Sequence, residues 1–513
     1  MATRLITVSA LLALMVGSVG AQDGRALLQA VAKNIGADNL TTLQISGTGW
    51  NAAPGQSFSP SDDWPKFEVT SYTKAIDFGA RFSREQVTRR QGNYPPRGGG
   101  GTPIQGEQRL DFLVSGNVAW NMQGTMPQPI VRGYLDGLPV AEQRQLDIIM
   151  TPHGFVKAAL AQGANPTVVT SMPRGRQVTN VSITALGKYR VTATINDRNE
   201  VEFVQTRVAN PAFGDLLYET RYGPYKQFGS VKFPSVLHHH QGDDRLNPGH
   251  NTMEIQVSAV QANAPVQVVA APDAVKAPAP PLSRVESQKL AEGVWYIGGG
   301  SHNSMAVEFR DWVAVVEAPL NEARSLAVID EVTRIIPNKP IQYVVNTHHH
   351  FDHSGGLRTY LSMGTTIITH PANRDFYVNV MLYPGSRTLQ PDRLSQFYPM
   401  YMTSRRPMRI ETVGQKYVLS DGVRTMDLYP VTGINHSQTM LVAYLPKEKI
   451  LLNADLYTPP AQGAAAPAAT PGMRSLQANI QRLKLDVAQH VPIHGRAGTH
   501  EEFVQIVNRP PAQ

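Results

Sequence analysis

The chain has 513 residues, a formal charge of +7 at pH 7 and no cysteine. This length favours two or more domains, and the lack of cysteine excludes disulfides, thiol catalysis and thiolate metal ligands. The basic residues are scattered without a long basic run, so nucleic-acid binding is not indicated. The charge is consistent with a weak attraction to anionic envelope surfaces.

The first 21 residues have the pattern of a signal peptide. Arg4 precedes a largely apolar run over 5–16, and small residues end at Ala21. A basic start, a short apolar stretch and a small-residue end are typical of secretory signals. The sequence therefore predicts cleavage after Ala21 and a periplasmic or secreted protein, with an uncleaved N-terminal anchor as the alternative.

Residues 22–262 predict a mostly antiparallel β domain. A helical pattern opens it, with Leu27, Leu28, Val31 and Ile35 at helical spacing. Short segments of alternating polarity follow, separated by turn residues, and this pattern favours antiparallel strands with one buried face. The pattern resembles that of periplasmic lipid and lipoprotein carriers, which implies a possible contact with envelope lipids through this domain.

The run His238-His239-His240 lies at the end of a predicted strand in this domain. Side chains alternate across a strand, so His239 is expected to face away from its two neighbours. With Asp243, Asp244 and His250 nearby, a second metal site is one interpretation. A solvated strand end is the interpretation we favour.

A Pro/Ala-rich stretch, residues 263–285, predicts a linker to a second domain over 286–513. In this second domain, residues 321–335 predict an amphipathic helix that ends before Pro337. A strand over 341–346 follows, then a helix after Ser354 and a strand over 365–369. Alternating strands and helices indicate a layered arrangement in which helices cover the sheets.

Seven potential metal ligands follow predicted strands in the second domain. Four of them lie in one short run directly after strand 341–346, and the other three each follow a separate strand: His348, His350, Asp352, His353, His436, Asp455 and His494. Such crowding of imidazoles and carboxylates is unfavourable unless a cation binds among them. The carboxyl ends of strands also meet at one edge of an open sheet. The sequence therefore predicts a metal site.

This pattern resembles the metallo-β-lactamase superfamily, which includes glyoxalase II and lactonases. The family signature His-x-His-x-Asp-His is met at 348–353, and a Gly-x-x-His-Ser turn is met at 433–437. The family's bridging aspartate matches Asp455, and its last histidine, before a glycine, matches His494. The resemblance covers roughly 290–500. Glu317 stands where the family commonly has aspartate.

The resemblance implies an α+β protein with an αββα sandwich in the C-terminal half. It also implies that His348, His350 and His436 bind one metal ion, that Asp352, His353 and His494 bind a second, and that Asp455 lies between them. Two Zn²⁺ ions per chain are expected for such ligands, with Fe or Mn as alternatives. Two close cations would activate a shared water as the nucleophile, and Asp352 is the expected catalytic proton acceptor.

Residues 374–413 are rich in aromatic residues, methionine and arginine, and predict a helical cap over a cleft. Tyr377 and Tyr401 in this cap, and His302 on a glycine-rich hairpin, are predicted substrate contacts. Such walls suit a small apolar or aromatic molecule with an acid or ester group. The alternative is an ordinary helical insertion that packs on the core.

The sequence predicts an exported hydrolase of an ester, thioester, lactone or lactam bond. The rival hypothesis is an envelope lipid-binding or carrier protein whose metal site is vestigial or structural. The complete set of seven ligands favours the enzyme, because a vestigial site is expected to lose ligands. No pattern in the sequence predicts an oligomeric state.

Overall fold

The computed structural model describes residues 17–18, 21–130, 138–172, 176–243, 247–276, 284–397 and 408–509. Most of the predicted signal peptide lies outside the described residues, as does the predicted contact Tyr401. Among the helices in the described ranges, none is both long enough and apolar enough to span a membrane. The chain is an α+β protein, rich in strands and with few helices, as predicted.

The N-terminal half is built on one fourteen-stranded sheet in which every paired neighbour is antiparallel. Its strands are β1 Gly17–Ser18, β2 Thr42–Ala52, β3 Lys66–Asp77, β4 Phe82–Arg90, β5 Glu107–Ser115, β6 Val118–Gln123, β7 Met126–Pro129, β8 Thr167–Ser171, β9 Val178–Ala185, β10 Tyr189–Ile195, β11 Val201–Asn210, β12 Gly214–Tyr222, β15 Val236–Asp243 and β16 Asn247–Ala262. Their order in the sheet is β1-β8-β9-β10-β11-β12-β15-β16-β2-β3-β4-β5-β6-β7. A separate hairpin comprises β13 Tyr225–Phe228 and β14 Val231–Pro234. The predicted antiparallel β domain is confirmed.

Three helices accompany this sheet: α1 Ala21–Ile35, α2 Val140–Ile149 and α3 Pro152–Leu160. Leu28, Val31 and Ile35 recur on one face of α1 and are fully buried in the core that α3 also enters. Burial of such an apolar stripe stabilises a helix more than its intrinsic propensity does. The predicted opening helix is thus present, and the Thr151 side chain caps the start of α3 by accepting from the Gly154 amide.

The stretch predicted as a linker packs partly on the N-terminal sheet. Within it, α4 spans Asp273–Lys276. Val275 is buried with Phe82, Leu113 and Trp120 of that sheet. The first part of this stretch is therefore attached to the N-terminal domain by apolar contacts.

The C-terminal half contains two further sheets. The first has seven strands: β17 Glu286–Ala291, β18 Val294–Gly298, β19 Ser304–Glu308, β20 Val313–Val316, β21 Ile341–Val345, β22 Thr366–Thr369 and β23 Ile410–Thr412. The second has six: β24 Tyr417–Ser420, β25 Thr425–Pro430, β26 Leu441–Leu445, β27 Ile450–Asn453, β28 Gln489–Pro492 and β29 Gly498–Thr499. The strands β20 to β23 pair in parallel, as do β27 and β28.

Several helices accompany the two sheets of this half. They are α5 Glu322–Ile335, α6 Phe351–Ser354, α7 Leu357–Ser362, α8 Arg374–Phe376, α9 Pro471–Leu483 and α10 His500–Val507. Residues 377–381 continue α8 as a π-helical turn, and 371–373 and 384–386 are 3₁₀ turns. Side chains from both sheets share one core, α5 and α7 pack on the seven-stranded sheet, and α9 and α10 pack on the six-stranded sheet. The predicted αββα sandwich is confirmed.

The N-terminal half contacts the sandwich through the segment after β2. The Phe351 amide donates to the Gly55 carbonyl, and the Gln438 amide donates to the Phe58 carbonyl. Gly55 has φ +73°, and a Cβ there would lie 2.4 Å from the Phe351 ring, so only glycine fits. Segment 53–58 therefore lies directly against the loop that carries the His-rich signature.

Candidate metal centre

The seven predicted ligands lie just past strand ends at one edge of the sandwich. The run 348–353 follows β21, His436 lies between β25 and β26, Asp455 follows β27, and His494 follows β28. Strand ends that share an edge bring distant segments together. The structure places all seven side chains around one centre.

Asp455 lies in the middle of this centre. Its Oδ2 is 3.2 Å from His348 Nε2, 3.1 Å from His353 Nε2 and 3.0 Å from His436 Nε2. Its Oδ1 is 2.8 Å from His494 Nε2. One carboxylate thus faces four imidazoles, as expected of the residue predicted to lie between the two sets of ligands.

The donor atoms form two four-membered groups and a third group of Glu317, His348 and His353, and the members of each group lie within 4.8 Å of one another. The first contains His348, His350, His436 and Asp455, and the second contains His302, Asp352, His353 and His494. The first group is the set expected for one metal ion together with the bridging carboxylate. The second group is the set expected for the other ion plus one residue, His302.

His302 requires a correction. The sequence predicted a substrate contact, whereas the ring is only 2% exposed and its Nε2 lies 3.2 Å from Asp352 Oδ2. The loop that carries it is held by Asn303, which donates to the carbonyls of Pro492 and Gly495 beside His494. His302 therefore belongs to the candidate metal centre. The only signal in the sequence was its place on a hairpin beside the cleft.

Backbone carbonyls fix the orientation of two rings. His350 Nε2 lies 2.9 Å from the Ser57 carbonyl, and His494 Nδ1 lies 2.8 Å from the Ser301 carbonyl. A carbonyl only accepts, so these ring nitrogens carry the proton. The other nitrogen of each ring then faces the centre, where a metal ligand would use its lone pair.

Glu317 fixes a third ring from beneath. Its carboxylate is fully buried, lies 3.0 Å from His353 Nδ1 and accepts from the Thr347 hydroxyl at 2.5 Å. Asn346 Nδ2 and the Thr347 amide donate to its other oxygen, each at 3.3 Å. The aspartate-to-glutamate departure therefore retains a carboxylate that orients a ligand.

The charges favour ionised carboxylates and mostly neutral rings. Burial lowers the pKa of His348 to about 3 and that of His350 well below its ordinary range. Burial alone would raise the pKa of Asp455, but the neighbouring His353 and His436 outweigh it and hold the pKa well below its usual range. His353 and His494 are the exceptions: Asp455 and Asp352 overcome burial and raise the pKa of His353, and Asp455 does the same for His494. A divalent cation would compensate the same carboxylates without those protons.

The residues present fit divalent metal ions. His436 Nε2 is buried and makes no hydrogen bond, although Asp455 lies 3.0 Å away. A buried ring nitrogen without a hydrogen bond is unfavourable unless another partner binds it. The donors are imidazoles and carboxylates, a set that zinc and other first-row ions accept.

Two further side chains lie outside the centre, and one predicted contact is not described. Tyr377 was predicted to contact the substrate, but it is fully buried in the core and its hydroxyl donates to Asn346 Oδ1, so that prediction is wrong. His349 is turned away from the centre, between the hydroxyls of Ser57 and Thr439. Tyr401 lies in the part of the chain that is not described.

Sequence reasoning missed the contribution of the N-terminal domain. Gln56 Nε2 donates to Asp352 Oδ1 at 2.8 Å, while Gln56 Oε1 accepts from the Gly100 amide at 3.1 Å. Asp352 is thus held between Gln56 on one oxygen and His302 on the other. No local motif marks Gln56, which lies almost three hundred residues before Asp352.

The other histidine run, His238–His240, lies apart from these groups. His238 contacts Glu254 Oε2 at 3.1 Å and Asn251 Oδ1 at 2.8 Å within the sheet. The groups of three or more potential ligands found in the described ranges do not include His238, His239 or His240. The run lies within strand β15 rather than at a solvated strand end, and His239 borders the cavity, so that interpretation is wrong.

A cavity of about 760 Å³ opens onto the centre from the N-terminal side. On the sandwich side it is bordered by Phe351, Asp352, His436 and Asp455. Its other walls come from the fourteen-stranded sheet and α2. The two halves of the chain therefore enclose one space next to the candidate ligands.

Residues 297–492 match the family model of the metallo-beta-lactamase superfamily. The C-terminal domain belongs to this superfamily. By this assignment it is a superfamily hydrolase domain, and the match specifies no substrate. A search of curated proteins found no match.

Solved structures with a similar fold include metallo-beta-lactamases. The enzyme from Pontibacter korlensis is 17% identical, with a TM-score of 0.33, over 43% of this chain and 95% of that one. FIM-1 from Pseudomonas aeruginosa, in a mono-zinc form, is 20% identical, with a TM-score of 0.29, over 43% and 91%. The enzyme from Hirschia baltica is 20% identical, with a TM-score of 0.30, over 43% and 94%.

Proposed function

We propose that this chain is a metal-dependent hydrolase with two zinc ions that cleaves an ester, thioester, lactone or lactam bond. The observation that carries the proposal is the convergence of five imidazoles and two carboxylates from four strand ends at the mouth of a cavity. Fe and Mn are the alternative metals for such donors.

The first ion would be held by His348, His350 and His436, and the second by Asp352, His353 and His494. Asp455 would bind both, because its two oxygens face both groups. When bound, such ions supply Lewis acidity and lower the pKa of a water molecule to a value near neutral pH.

Asp352 is suited to hold a proton taken from the attacking water. Its Oδ1 is fixed by Gln56 and its Oδ2 lies near His302 and His353, so the carboxylate has a defined orientation at the cavity border. Since neighbouring His353 and His302 hold its pKa well below the usual range despite burial, it is ionised, as a proton acceptor must be. A substrate that fills the cavity would meet Asp352 and His436 at one end.

The experiment combines metal analysis with a substrate panel. The purified full chain is assayed for metal and for hydrolysis of chromogenic esters, a thioester, a lactone and a lactam, before and after chelation. We expect bound zinc, turnover of at least one class, loss of turnover on chelation and recovery on adding zinc. Turnover that is indifferent to complete removal of metal would overturn the proposal.

A matched pair of variants tests the ligand assignment. His436→Ala removes a ring whose Nε2 has no hydrogen bond, so we expect little change in folding. We expect activity to fall by at least about 100-fold, which is more than the loss expected for a residue that only orients a ligand. His370→Ala is the control in the same domain, since His370 only accepts from the Ala372 amide. Equal activity in both variants would contradict the assignment. A co-purified lipid without turnover of any substrate would favour the carrier hypothesis.

A further inference from the structure

The cavity beside the metal centre is formed mainly by the N-terminal domain. Strands β2 to β6, β12, β15 and β16 contribute to its walls, as does α2. Its volume of about 760 Å³ is in the range of small-molecule sites. A ligand in this space would therefore be recognised by residues outside the superfamily domain.

Charged and apolar side chains share its walls. Lys74, Glu85, Phe112 and Asn121 lie directly opposite one another across β3, β4, β5 and β6, so they share one face of the sheet. The Arg144 guanidinium from α2 lies 5.0 Å from the Phe112 ring centroid. The site thus offers an apolar surface with cations set into it.

Two guanidiniums in these walls donate hydrogen bonds to neutral acceptors. Arg89 donates to Gln108 Oε1 at 2.8 Å and to Asn51 Oδ1 at 3.3 Å. Arg144 donates to the Leu113 and Trp120 carbonyls, each at 2.7 Å, and to Asn121 Oδ1 at 2.6 Å. Burial lowers the pKa of each arginine to about 10; Glu85 and Asp147 partly offset the effect at Arg144, whereas burial is the one cause at Arg89.

The carboxylates in the same walls already have other partners. Glu85 pairs with Lys74 at 2.8 Å, and Asp147 accepts from the Tyr218 hydroxyl at 2.7 Å. Away from the metal centre the lining includes three cations, Lys74, Arg89 and Arg144, and these two carboxylates. One positive charge is left without a matching carboxylate in the described lining.

We propose that this cavity is the substrate site and that Arg89, assisted by Arg144, binds an anionic group of the substrate, a carboxylate or a phosphate. The ligand class is a small molecule with an apolar body, its anionic group at the arginines and its hydrolysable bond at the Asp352 end. Guanidinium is suited to both anions, since its donors match their paired oxygens. The identity of the substrate class rests on the proposed hydrolase function.

The test compares three variants of the full, zinc-loaded chain. Arg89→Gln removes the charge, Arg89→Lys retains it, and Arg90→Gln is the control, because Arg90 is an exposed neighbour paired with Glu68 and does not line the cavity. The substrates are para-nitrophenyl monoesters of linear dicarboxylic acids, phosphate-terminated analogues of equal length, and the corresponding neutral methyl esters.

We expect Arg89→Gln to raise KM for at least one anionic series by at least about tenfold, the effect of losing a hydrogen bond between charged groups. KM for the neutral esters should change little, Arg89→Lys should recover part of the loss, and Arg90→Gln should match the wild type. The series that responds identifies carboxylate or phosphate. Equal KM of wild type and Arg89→Gln for both anionic series would overturn the inference.

A binding measurement separates this inference from the proposed hydrolysis. Calorimetry with octanoate, octyl phosphate and octanol on the metal-free full chain requires no turnover. Arg89-dependent binding of either anion, with no hydrolysis of any ester, would retain the anion site and reject the hydrolase. Hydrolysis with no Arg89-dependent binding would retain the hydrolase and reject the anion site.

Discussion

The chain contains two runs of three consecutive histidines, and they behave differently. His238–His240 lie within strand β15, where alternate side chains take opposite faces. His348–His350 lie after strand β21, in a loop where His348 and His350 face the same centre and only His349 turns away. One copy of the tripeptide thus contributes two rings to a candidate metal centre, whereas the other copy is part of a sheet.

The difference lies in what surrounds the rings. Asp455, which follows β27, lies 3.2 Å from His348 of the second run, while Asp352 and Glu317 contact the neighbouring His353. The first run has neighbours in the adjacent strands, as when His238 contacts Glu254. A histidine run therefore predicts a metal site only when other strand ends bring carboxylates to the same edge.

The largest expected effect is that of Asp455→Asn. The substitution keeps the shape but removes the charge that faces four imidazoles, so we expect loss of bound metal and a fall in kcat/KM of about 1000-fold or more. Metal content by mass spectrometry and steady-state kinetics measure it. His238→Gln in the other run is the control and should keep both values. Retention of metal and activity by Asp455→Asn would show that this carboxylate does not distinguish the two histidine runs.

Glu317→Gln should weaken metal binding by about 10- to 100-fold, because an orienting carboxylate behind His353 is lost. Competition with a chromogenic chelator gives the affinity. Glu254→Gln is a matched control, since Glu254 also contacts a histidine, His238, at 3.1 Å. Equal affinities in the two variants would mean that Glu317 does not orient a ligand.

Gln56→Ala tests the link between the two regions. The variant frees Asp352 Oδ1, so we expect kcat to fall by about 3- to 10-fold, the effect of one hydrogen bond to a charged group. Metal content and KM should stay near wild type, which distinguishes a positioning role from a general loss of structure. Unchanged kcat would show that the N-terminal segment does not orient Asp352.

The smallest expected effect concerns pH and the first run. Burial lowers the pKa of His239 to about 4, below its ordinary value of 6.5. Because the folded chain keeps this ring neutral, its contribution to the free energy of unfolding is complete above pH 6.5. This contribution is lost as the pH falls towards 4. Because the ring borders the cavity, we expect its titration to lower the free energy of unfolding by about 1 kcal/mol between pH 7 and pH 5.

His239→Gln removes this titration. The urea unfolding free energy of the variant should therefore fall less on acidification than that of the wild type, when both are measured in the presence of chelator. Parallel pH dependences of the two proteins would show that His239 titrates as freely as in the unfolded chain.

Local patterns predicted much of the fold and the centre. The amphipathic stripe of α1, the alternation over 189–195 and the His-x-His-x-Asp-His run each specify a structure within a few neighbouring residues. The strand ends then bring His436, Asp455 and His494 together, since topology places them at one edge.

The rest depends on contacts between distant segments. Gln56 and Ser57 reach the centre because segment 53–58 packs on the Phe351 loop, and nothing in their own neighbourhood signals it. Tyr377 lies in an aromatic stretch, yet its hydroxyl finds Asn346 and its ring joins the core. Composition alone does not distinguish a wall of a binding site from a core residue.

The hydrogen bond from His350 to the Ser57 carbonyl has a consequence for the modularity of the chain. A fragment cut at the Pro/Ala-rich stretch would carry every residue of the signature but lose the acceptor that sets the tautomer of one ring and the amide that steadies Asp352. The Pro/Ala-rich stretch therefore separates the candidate ligands from N-terminal residues that orient them. Any exchange of N-terminal domains between such proteins would have to carry the 55–58 segment with it.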